Sequence, residues 1–495
     1  MNTIGLTQQL STQARWPLHS IAQTQALELQ AQTELPANTL MQRAGLATAQ
    51  LAMAIAPHAR TIWIACGPGN NGGDGLEAAV HLQAWGKPPV VTWLGNEAKA
   101  SADTLQAWHR AKAAGVTFTK QPPQQFDLAI DALLGIGAKG APEGLMAQWL
   151  STINTSTTPV LCVDVPTGLL ADTGEWLGIP PHHAAAAIRA QRHTLSLLTL
   201  KPGLLTADGQ DASGQVWFND LTIRPSPKPA AWLQQHGAAH TERPHNSHKG
   251  SFGDVSVLGG APGMSGAAML AGLAALRGGA GRVFVGLMDE AAQHAVTAAH
   301  PALMVRKPAE LNLHNSTVVC GCGASDGIHA LLHNVLSTSK QLVLDADALN
   351  ALARDTSLQT LLKKRSARQK PTALTPHPLE AARLLNCTVQ DVQQNRLHAA
   401  QLLADKFQCV VVLKGSGSII ANPNHTAVIN GSGNALLATA GTGDVLAGLM
   451  GAYFARHEHV FEAACQAVFA HGHVADAWPS EGPALDAASL AASVR

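Results

Sequence analysis

Short, wholly apolar runs closed by glycine-rich turns, with amphipathic stretches between them, fill most of this chain. Thr61 to Cys66 is one such run and stops abruptly at GPGNNGGDG; Val90 to Leu94, Asp127 to Leu134 and Val160 to Val165 repeat the pattern. A continuous apolar run bounded by turn residues fits a strand buried on both faces. Leu40, Met41, Ala44, Leu51 and Ile55 fall near helical spacing, and Leu76 to Trp85 and Ala102 to Ala114 read as further helices. Strand, loop and helix in alternation predict a mostly parallel sheet with helices on both faces. HTLSLLTL and QVWFNDLTI read as two closing strands. Residues 1–25 are polar and lack a clear period, which predicts a flexible arm or a docking segment.

After these strands comes Arg224-Pro-Ser-Pro-Lys-Pro229 and a polar, His-rich stretch to Lys249. Proline at that density propagates neither a helix nor a ladder. A domain boundary is therefore expected within residues 222–240, giving domains 1–225 and 226–495. The second half restarts the alternation at Asp254 to Leu258, Arg282 to Leu287, Val318 to Cys322, Leu342 to Leu344 and Val410 to Leu413. Ser418 to Ile429 reads as a hairpin around Asn422-Pro-Asn-His425. The fold class is α/β in both halves.

Composition narrows the function classes. The 495 residues are 46% hydrophobic and 13% charged, ample for large cores and too uncharged for disorder. With 33 basic and 33 acidic residues, nothing favours nucleic acid or an anionic membrane as partner. No apolar run is long enough to span a bilayer, and MNTIGLTQQLSTQARW has no apolar core of the kind a secretory signal needs. The seven cysteines are scattered and odd in number, which predicts buried thiols in a reducing, cytoplasmic setting. Cys320-Gly-Cys322 is too tight for a zinc knuckle, and the 23 histidines form no HExxH spacing.

The chemistry concentrates where strands end. In Asn70-Asn71-Gly72-Gly73-Asp74-Gly75 the glycines are expected to permit positive φ and close ligand approach, and the helix start offers free N–H groups to an anion. Asp131-Ala-Leu-Leu-Gly135-Ile-Gly137 and Asp164-Val-Pro-Thr-Gly168 place carboxylates at two more strand ends. Ligands of open α/β sheets bind outside those ends. Asn71, Asp131 and Thr167 together offer hard oxygens suited to a monovalent cation, and Asp164 is a candidate general acid/base. The alternative is that these Asp residues merely cap helices, which all three together make less fitting.

These three motifs, with Met41-Gln-Arg-Ala-Gly45, resemble the YjeF N-terminal domain, an NAD(P)H-hydrate epimerase, over roughly residues 15–225. The resemblance implies a Rossmann-like, doubly wound sheet and a potassium ion held by Asn71, Asp131 and Thr167. It implies substrate contacts from Asn70, Asn71, Gly72, Gly73 and Asp74, from Gly135, Ile136, Gly137, Ala138, Lys139, Gly140 and Ala141, and from Asp164. Leu76 departs from the family, which usually has an aromatic residue there.

In the second half, Gly441-Thr-Gly443-Asp444 opens a helical run. Its N–H groups form an anion hole at the positive helix end, and an Asp there either caps the helix or takes a proton from an attacking hydroxyl. Val411-Val-Leu-Lys414-Gly415-Ser416-Gly417 is a strand ending in a basic, glycine-rich turn. Thr375-Pro-His377-Pro-Leu-Glu380 is a rigid loop whose Glu380 either reaches Mg²⁺ through water or is an exposed helix-start residue. Asp345 and Asp347 end another strand, facing the cleft or capping. The sequence GGAPGMSGAA, VLDADALN, LTPHPLE, VVLKGSGS and GNALLATAGTGDVLAG, in that order, resembles the ribokinase-like YjeF C-terminal domain over about residues 240–490. That family is the ADP- or ATP-dependent NAD(P)H-hydrate dehydratase, and His248-Lys-Gly-Ser-Phe-Gly253 also fits it. By resemblance, Lys414, Gly415, Ser416, Gly417, Ser418 and Gly443 bind the nucleotide, and Ala267, Gly323, His377 and Asp444 contact the hydrate, with Asp444 as base. Ser325 departs from a position where the family usually has Gly.

Both halves in one chain resemble the bifunctional bacterial repair enzymes. The implied substrates are hydrated NADH and NADPH with ADP or ATP as co-substrate and K⁺ and Mg²⁺ as ions; a homo-oligomer is expected. The competing reading is a small-molecule or vitamin-precursor kinase fused to a non-enzymatic nucleotide-binding module.

Overall fold

The computed structural model describes residues 5–10, 15–138, 140–178, 191–224, 228–234, 245–457 and 459–494. The chain forms two units, Met1–Thr12 with Trp16–Ala231 and Gln13–Arg15 with Trp232–Arg495. Part of the Pro-rich and His-rich stretch around the expected boundary (225–227 and 235–244), and Lys139, lie outside the described residues.

In the first unit, two short strands, β1 (Gln8–Gln9) and β2 (Arg15–Leu18), precede helices α1 (Ile21–Glu34) and α2 (Thr39–Ile55). Then come β3 (Ile62–Cys66), α3 (Asn70–Ala84), β4 (Val90–Trp93), α4 (Ala102–Ala113), β5 (Thr117–Thr119), β6 (Leu128–Ala132), α5 (Gly144–Thr155), β7 (Val160–Val163), β8 (Arg192–Leu197) and β9 (Gln215–Asn219). The sheet order is β1-β9-β8-β7-β6-β3-β4-β5, parallel except for β1 against β9. The chain leaves β3 for β4 and β5 on one side, then returns to β6 on the other. That reversal opens a crevice between the ends of β3 and β6, where ligands of such sheets sit. Every residue of β3, β6 and β7 is buried, which is why these strands read as unbroken apolar runs.

Two sequence expectations are overturned here. Of the two readings of residues 1–25, the flexible arm fails for 15–25 and the docking segment holds: Trp16 and Leu18 are buried and α1 begins at Ile21. The helix carries almost no apolar stripe, because it faces its neighbours with Thr24 and Ala31. Its start is set by a capping box, in which Gln23 N donates to Ser20 Oγ (3.2 Å) and Ser20 N to Gln23 Oε1 (3.0 Å). Nor do the glycines of NNGGDG adopt positive φ; the motif is already the first turn of α3. Those glycines serve close packing. A side chain at Gly72 would collide with the Gly67 carbonyl, one at Gly75 with Ala132 and Cys66, and one at Gly73 with the Met41 thioether. Gly45 likewise lets α2 lie against Glu77 and Ala78 of α3.

The second unit holds β10 (Ala231–Gln234), β11 (Asp254–Gly259), β12 (Arg282–Leu287), β13 (Met304–Arg306), β14 (Thr317–Cys320), β15 (Gln341–Leu344), β16 (Thr372–Leu374), β17 (Val410–Leu413), β18 (Ile419–Asn422) and β19 (His425–Asn430). Its strands run in the order β13-β12-β11-β14-β15-β16-β17-β18-β19-β10. They are parallel from β13 through β17, and β17, β18 and β19 pair antiparallel, so the expected hairpin is present. Helix α6 (Ser265–Arg277) packs against a long helix, α8 (Thr442–Arg456). Gly448 of α8 meets the Ala271 carbonyl and Gly451 meets Val319 of β14, with no room for a side chain at either. The N-terminus of α8 is thereby fixed over the strand ends. Helix α7 (Pro378–Leu385) follows β16.

Candidate active sites

In the first unit a cavity of about 410 Å³ opens at the strand ends. Its floor comes from Pro68 to Asn71 after β3, Leu133 to Ala138 after β6, Asp164 after β7, and Leu197, Leu198 and Lys201 after β8; α1 and α2 supply Thr24, Glu28, Leu40 and Met41. The first turn of α3 has no side-chain cap, so its N–H groups stay available to an anion. Asn70 is held by Ser101 Oγ, which donates to its Oδ1 at 2.6 Å.

Asp164 sits at positive φ (67°), an uncommon conformation for a non-glycine residue and one that clusters at functional sites. Its Oδ1 accepts from Leu197 N (3.2 Å) and from the Lys201 ammonium, which is wholly buried. Lys201 also donates to the Leu197 carbonyl (2.7 Å) and approaches Ser196 Oγ (3.4 Å). Its donors are thus consumed by the protein, and it gives the Asp164 carboxylate a buried counter-charge. No hydrogen bond reaches Asp164 Oδ2 among the described residues, and Asp164 lines the cavity. Burial, with Asp164 and Glu28 nearby, pushes the Asp74 carboxyl well up. Four carboxyl groups, of Glu28, Asp74, Asp103 and Asp164, line this space with one buried lysine, and burial pushes those of Asp74 and Glu28 toward the neutral form.

Behind the cavity, Asp131 is fully buried. It accepts from Thr167 Oγ1 (2.7 Å), Thr167 N (3.1 Å) and Leu133 N (3.3 Å), while burial raises its carboxyl. Its side chain makes no direct ion pair among the described residues, and the Arg192 charge together with these hydrogen bonds favours the ionised form against the cost of burial. Beside it, Asn71 Oδ1 crowds Gly135, and Asn71 Nδ2 is buried without a partner. The oxygens of Asp131, Thr167 and Asn71 are of the hard kind a monovalent cation takes, whereas the Asn71 amide nitrogen is a donor and does not bind one.

The substrate-binding residues expected from the sequence divide. Asn70, Asn71, Asp74, Gly135, Ile136, Gly137, Ala138 and Asp164 line the cavity. Gly72 and Gly73 do not; they face the protein interior, where only glycine fits. Gly140 and Ala141 are exposed and away from the cavity lining. Lys201 and Glu28 are additions that sequence reasoning missed. A lysine embedded in the apolar run SLLTLKPGLL was the available signal for the first, and the Ser20–Gln23 capping box, which announces α1, for the second.

In the second unit four adjacent strand ends and one helix start converge. Cys322 follows β14, Asp345 follows β15, Thr375 to Glu380 follow β16, Lys414 follows β17, and Gly441 to Asp444 begin α8. Gly441 takes φ 90° and caps without a side chain, leaving the N–H groups of Thr442, Gly443 and Asp444 unclaimed by a cap. Asp345 is buried and accepts from Lys414 Nζ (2.7 Å) and Thr375 Oγ1 (2.8 Å). Burial works against the Lys414 charge, but Asp345 and Glu380 outweigh it and raise the ammonium. Carboxylate oxygens of Asp345 and Asp444 and the Cys322 sulfur lie within 4.8 Å of one another. Burial and Asp345 push the Asp444 carboxyl up to about 6, while a hydrogen bond with Cys322 and the Lys414 charge pull it down. Cys322 is fully buried and held well up as a thiol by burial and Asp444, so it can donate.

The remaining expected residues fall around this centre. Gly443 lies against Lys414 Nζ. Gly323, at φ 57°, packs on Ala267 and the Met264 carbonyl. Gly415 (φ 134°) and Gly417 (φ 60°) shape the loop over Arg396, whose guanidinium donates to the Lys414 carbonyl at 3.2 Å; Ser418 Oγ donates to the Gly415 carbonyl, and Ser416 is exposed. Glu380 is not an exposed helix-start residue. It is buried and accepts from His377 N (2.8 Å), and His377 Nδ1 accepts from Leu379 N (3.1 Å). Burial pushes the Glu380 carboxyl up to about 7, and burial and Lys414 lower His377. Asp347 lies in the first turn of the helix after β15, accepts from Ser325 N at 2.8 Å, and its charge acts on Asp444.

Comparison with known proteins agrees with two sites in two units. Residues 255–494 match the family model described as NAD(P)H-hydrate dehydratase, and residues 37–203 that of the YjeF-related protein N-terminus. The chain is 36% identical over 462 residues to the bifunctional NAD(P)H-hydrate repair enzyme Nnr of Escherichia coli (strain K12), covering 88% of this chain and 84% of that one. It is 34% identical over 461 residues to the enzyme of the same name from Coxiella burnetii, covering 90% and 91%. Over 240 residues it is 42% identical to the ADP-dependent (S)-NAD(P)H-hydrate dehydratase of Neisseria meningitidis serogroup B, covering 47% and 80%. A solved structure of the ADP/ATP-dependent NAD(P)H-hydrate dehydratase from Bacillus subtilis, co-crystallised with ATP and Mg²⁺, is 32% identical with a TM-score of 0.45, covering 51% of this chain and 91% of that one.

Proposed function

The chain belongs to the family of bifunctional NAD(P)H-hydrate repair enzymes, and from that premise we propose that its first unit epimerises hydrated NADH and NADPH while its second dehydrates one epimer at the expense of ADP. In the hydrate, water has added to the reduced nicotinamide ring and left a hydroxyl on carbon 6 in either configuration. A dehydratase selective for one configuration leaves the other untouched unless something interconverts them. Domain limits of 1–225 and 226–495 are part of this reading.

In the first unit the substrate's pyrophosphate sits on the free N–H groups that open α3, and its ring enters the carboxylate-lined cavity. Loss of the hydroxyl makes the ring cationic, and the Asp164 carboxylate there stabilises that state. Asp164, pinned by Lys201, handles the proton of the departing or returning water through Oδ2. Asn71, Asp131 and Thr167 would hold K⁺, which would add to the Arg192 charge in offsetting the buried Asp131 carboxylate.

In the second unit the N–H groups of Thr442, Gly443 and Asp444 receive the transferred phosphoryl group, and the Lys414–Ser418 loop holds the nucleotide. Asp444 takes the proton from the carbon-6 hydroxyl as its oxygen bonds phosphorus and AMP departs. The phosphate ester then eliminates: the C6–O bond breaks, carbon 5 gives up a proton to solvent, and inorganic phosphate and the restored reduced ring result. Phosphate leaves far more readily than hydroxide, which is how nucleotide cleavage drives the dehydration. Mg²⁺ would arrive with the nucleotide and bind mainly its phosphate oxygens, since Asp345 is engaged by Lys414 and Glu380 by the His377 cap. Seven free cysteines, six of them buried, fit a cytoplasmic enzyme, and among the described residues no helix is long and apolar enough to cross a membrane.

The observation that carries this reading is the meeting of Asp444, Asp345, Lys414 and an uncapped helix N-terminus at one point. The test is to incubate the protein with both hydrate epimers, with and without ADP, in potassium and in potassium-free buffer. Full recovery of the reduced-nicotinamide absorbance from both epimers is expected only with ADP and K⁺. Persistence of both epimers with ADP intact overturns the proposal.

A further inference from the structure

A carboxyl group in the epimerase cavity has no assigned task. Glu28 lies on α1, one turn after Thr24, whose hydroxyl meets Thr199 Oγ1 at 2.7 Å. Residues four apart share a helix face. Thr24 and the buried Ala31 therefore fix the face of α1 that bears Glu28 against the segment following β8, which carries Lys201. Glu28 lines the cavity and makes no hydrogen bond or ion pair among the described residues. Asp164 lines the same cavity from the strand ends, with its Oδ1 taken by Lys201.

Inverting carbon 6 on a ring held in place requires the hydroxyl to leave from one face and water to return on the other. One carboxylate serves one face. Resting on the epimerase reading, we infer that Glu28 is a second proton-transfer residue, acting from α1 on the ring face opposite Asp164. The Glu28 carboxyl gives its proton to the hydroxyl; the C6–O bond breaks, its electron pair leaves with water, and the ring nitrogen shares the positive charge. A water on the other face then bonds carbon 6 while Asp164 takes its proton. The other epimer runs the same steps in reverse and returns the proton to Glu28. The environments suit these roles: burial, then the nearby Asp164 charge, raise the Glu28 carboxyl and favour its protonated form, whereas Asp164 has the Lys201 ammonium as its counter-charge.

The experiment uses the full-length chain and each purified epimer in ¹⁸O-labelled water, above the uncatalysed background. Two rates are read: interconversion, and exchange of the hydroxyl with retention. Glu28→Gln is expected to slow interconversion about a hundredfold, yet to keep exchange in the one epimer whose hydroxyl faces Asp164. Glu28→Asp should restore part of the inversion. Interconversion within threefold of the parent in Glu28→Gln overturns the inference, as does equal loss of exchange from both epimers, which marks a binding role. So does the one-sided pattern appearing in Asp74→Asn while Glu28→Gln behaves as the parent. A parent protein that fails to interconvert the epimers at all strikes the epimerase reading instead.

Discussion

The two sites are built to one plan and differ in where the lysine goes. Each lies at the carboxyl ends of adjacent parallel strands beside an uncapped helix start, and each holds a lysine–aspartate pair, fully buried at Lys201 and part-buried at Lys414. In the first unit Lys201 grips Asp164, the carboxylate proposed to act. In the second, Lys414 grips Asp345 and leaves the neighbouring Asp444 without a cation of its own. Epimerisation needs a carboxylate whose charge faces a cationic ring, so pairing that group with lysine is useful. Phosphoryl transfer needs a base that accepts a proton readily near neutrality, and Asp444, pushed up to about 6 by burial and Asp345, is closer to that. The same pair of residue types thus serves as a brace for the acting group in one site and as its neighbour in the other.

The sharpest way to break this comparison is Asp444→Asn. Dehydration should fall about a thousandfold with epimerisation unchanged, read as phosphate release and as epimer exchange on one sample. Next is Lys201→Met. Removing one partner of a buried pair strands the other, so the first unit should lose roughly 3–5 kcal/mol of stability and epimerisation should drop more than about a hundredfold, while dehydration continues below the unfolding temperature. Denaturant melts followed by tryptophan fluorescence, together with both assays, check this. If Lys201→Met spares epimerisation, the bracing role fails.

A smaller effect comes from pH. Asp444 works as a base only when ionised, so kcat/KM for dehydration should fall about tenfold for each unit below pH about 6 and level off above it. A flat profile through that range would remove Asp444 from the role. The smallest concerns Ser325, held at φ 54° where the family usually has Gly. Ser325→Gly should relieve backbone strain and raise the stability of the second unit by about 1 kcal/mol, seen as a higher urea midpoint.

The strands at the heart of both sheets were legible in the sequence because burial on both faces leaves them wholly apolar. The loops at their ends were legible as glycine-rich motifs, although the reason for the glycines of NNGGDG was not. They admit neighbouring atoms rather than an unusual backbone angle, and nothing in a single sequence tells those demands apart. Helix α1 was missed because Thr24 and Ala31 pack without an apolar stripe, and Glu28 was missed with it. Lys201 and the Lys414–Asp345 pair escaped for another reason: partners 37 and 69 residues apart meet only once the strands are side by side.

Helix α1 carries a practical consequence for anyone who would cut this protein into parts. It is tied down by partners far along the chain: Ile21 N donates to Asp172, Thr24 meets Thr199, and Gln23 Nε2 donates to the Lys228 carbonyl. The match to the N-terminal family model begins only at residue 37. A fragment trimmed to the matched range would keep every recognisable motif and still lack one wall of its reaction chamber. During synthesis, likewise, the buried Thr24–Thr199 contact of that wall can form only once Thr199 has been made.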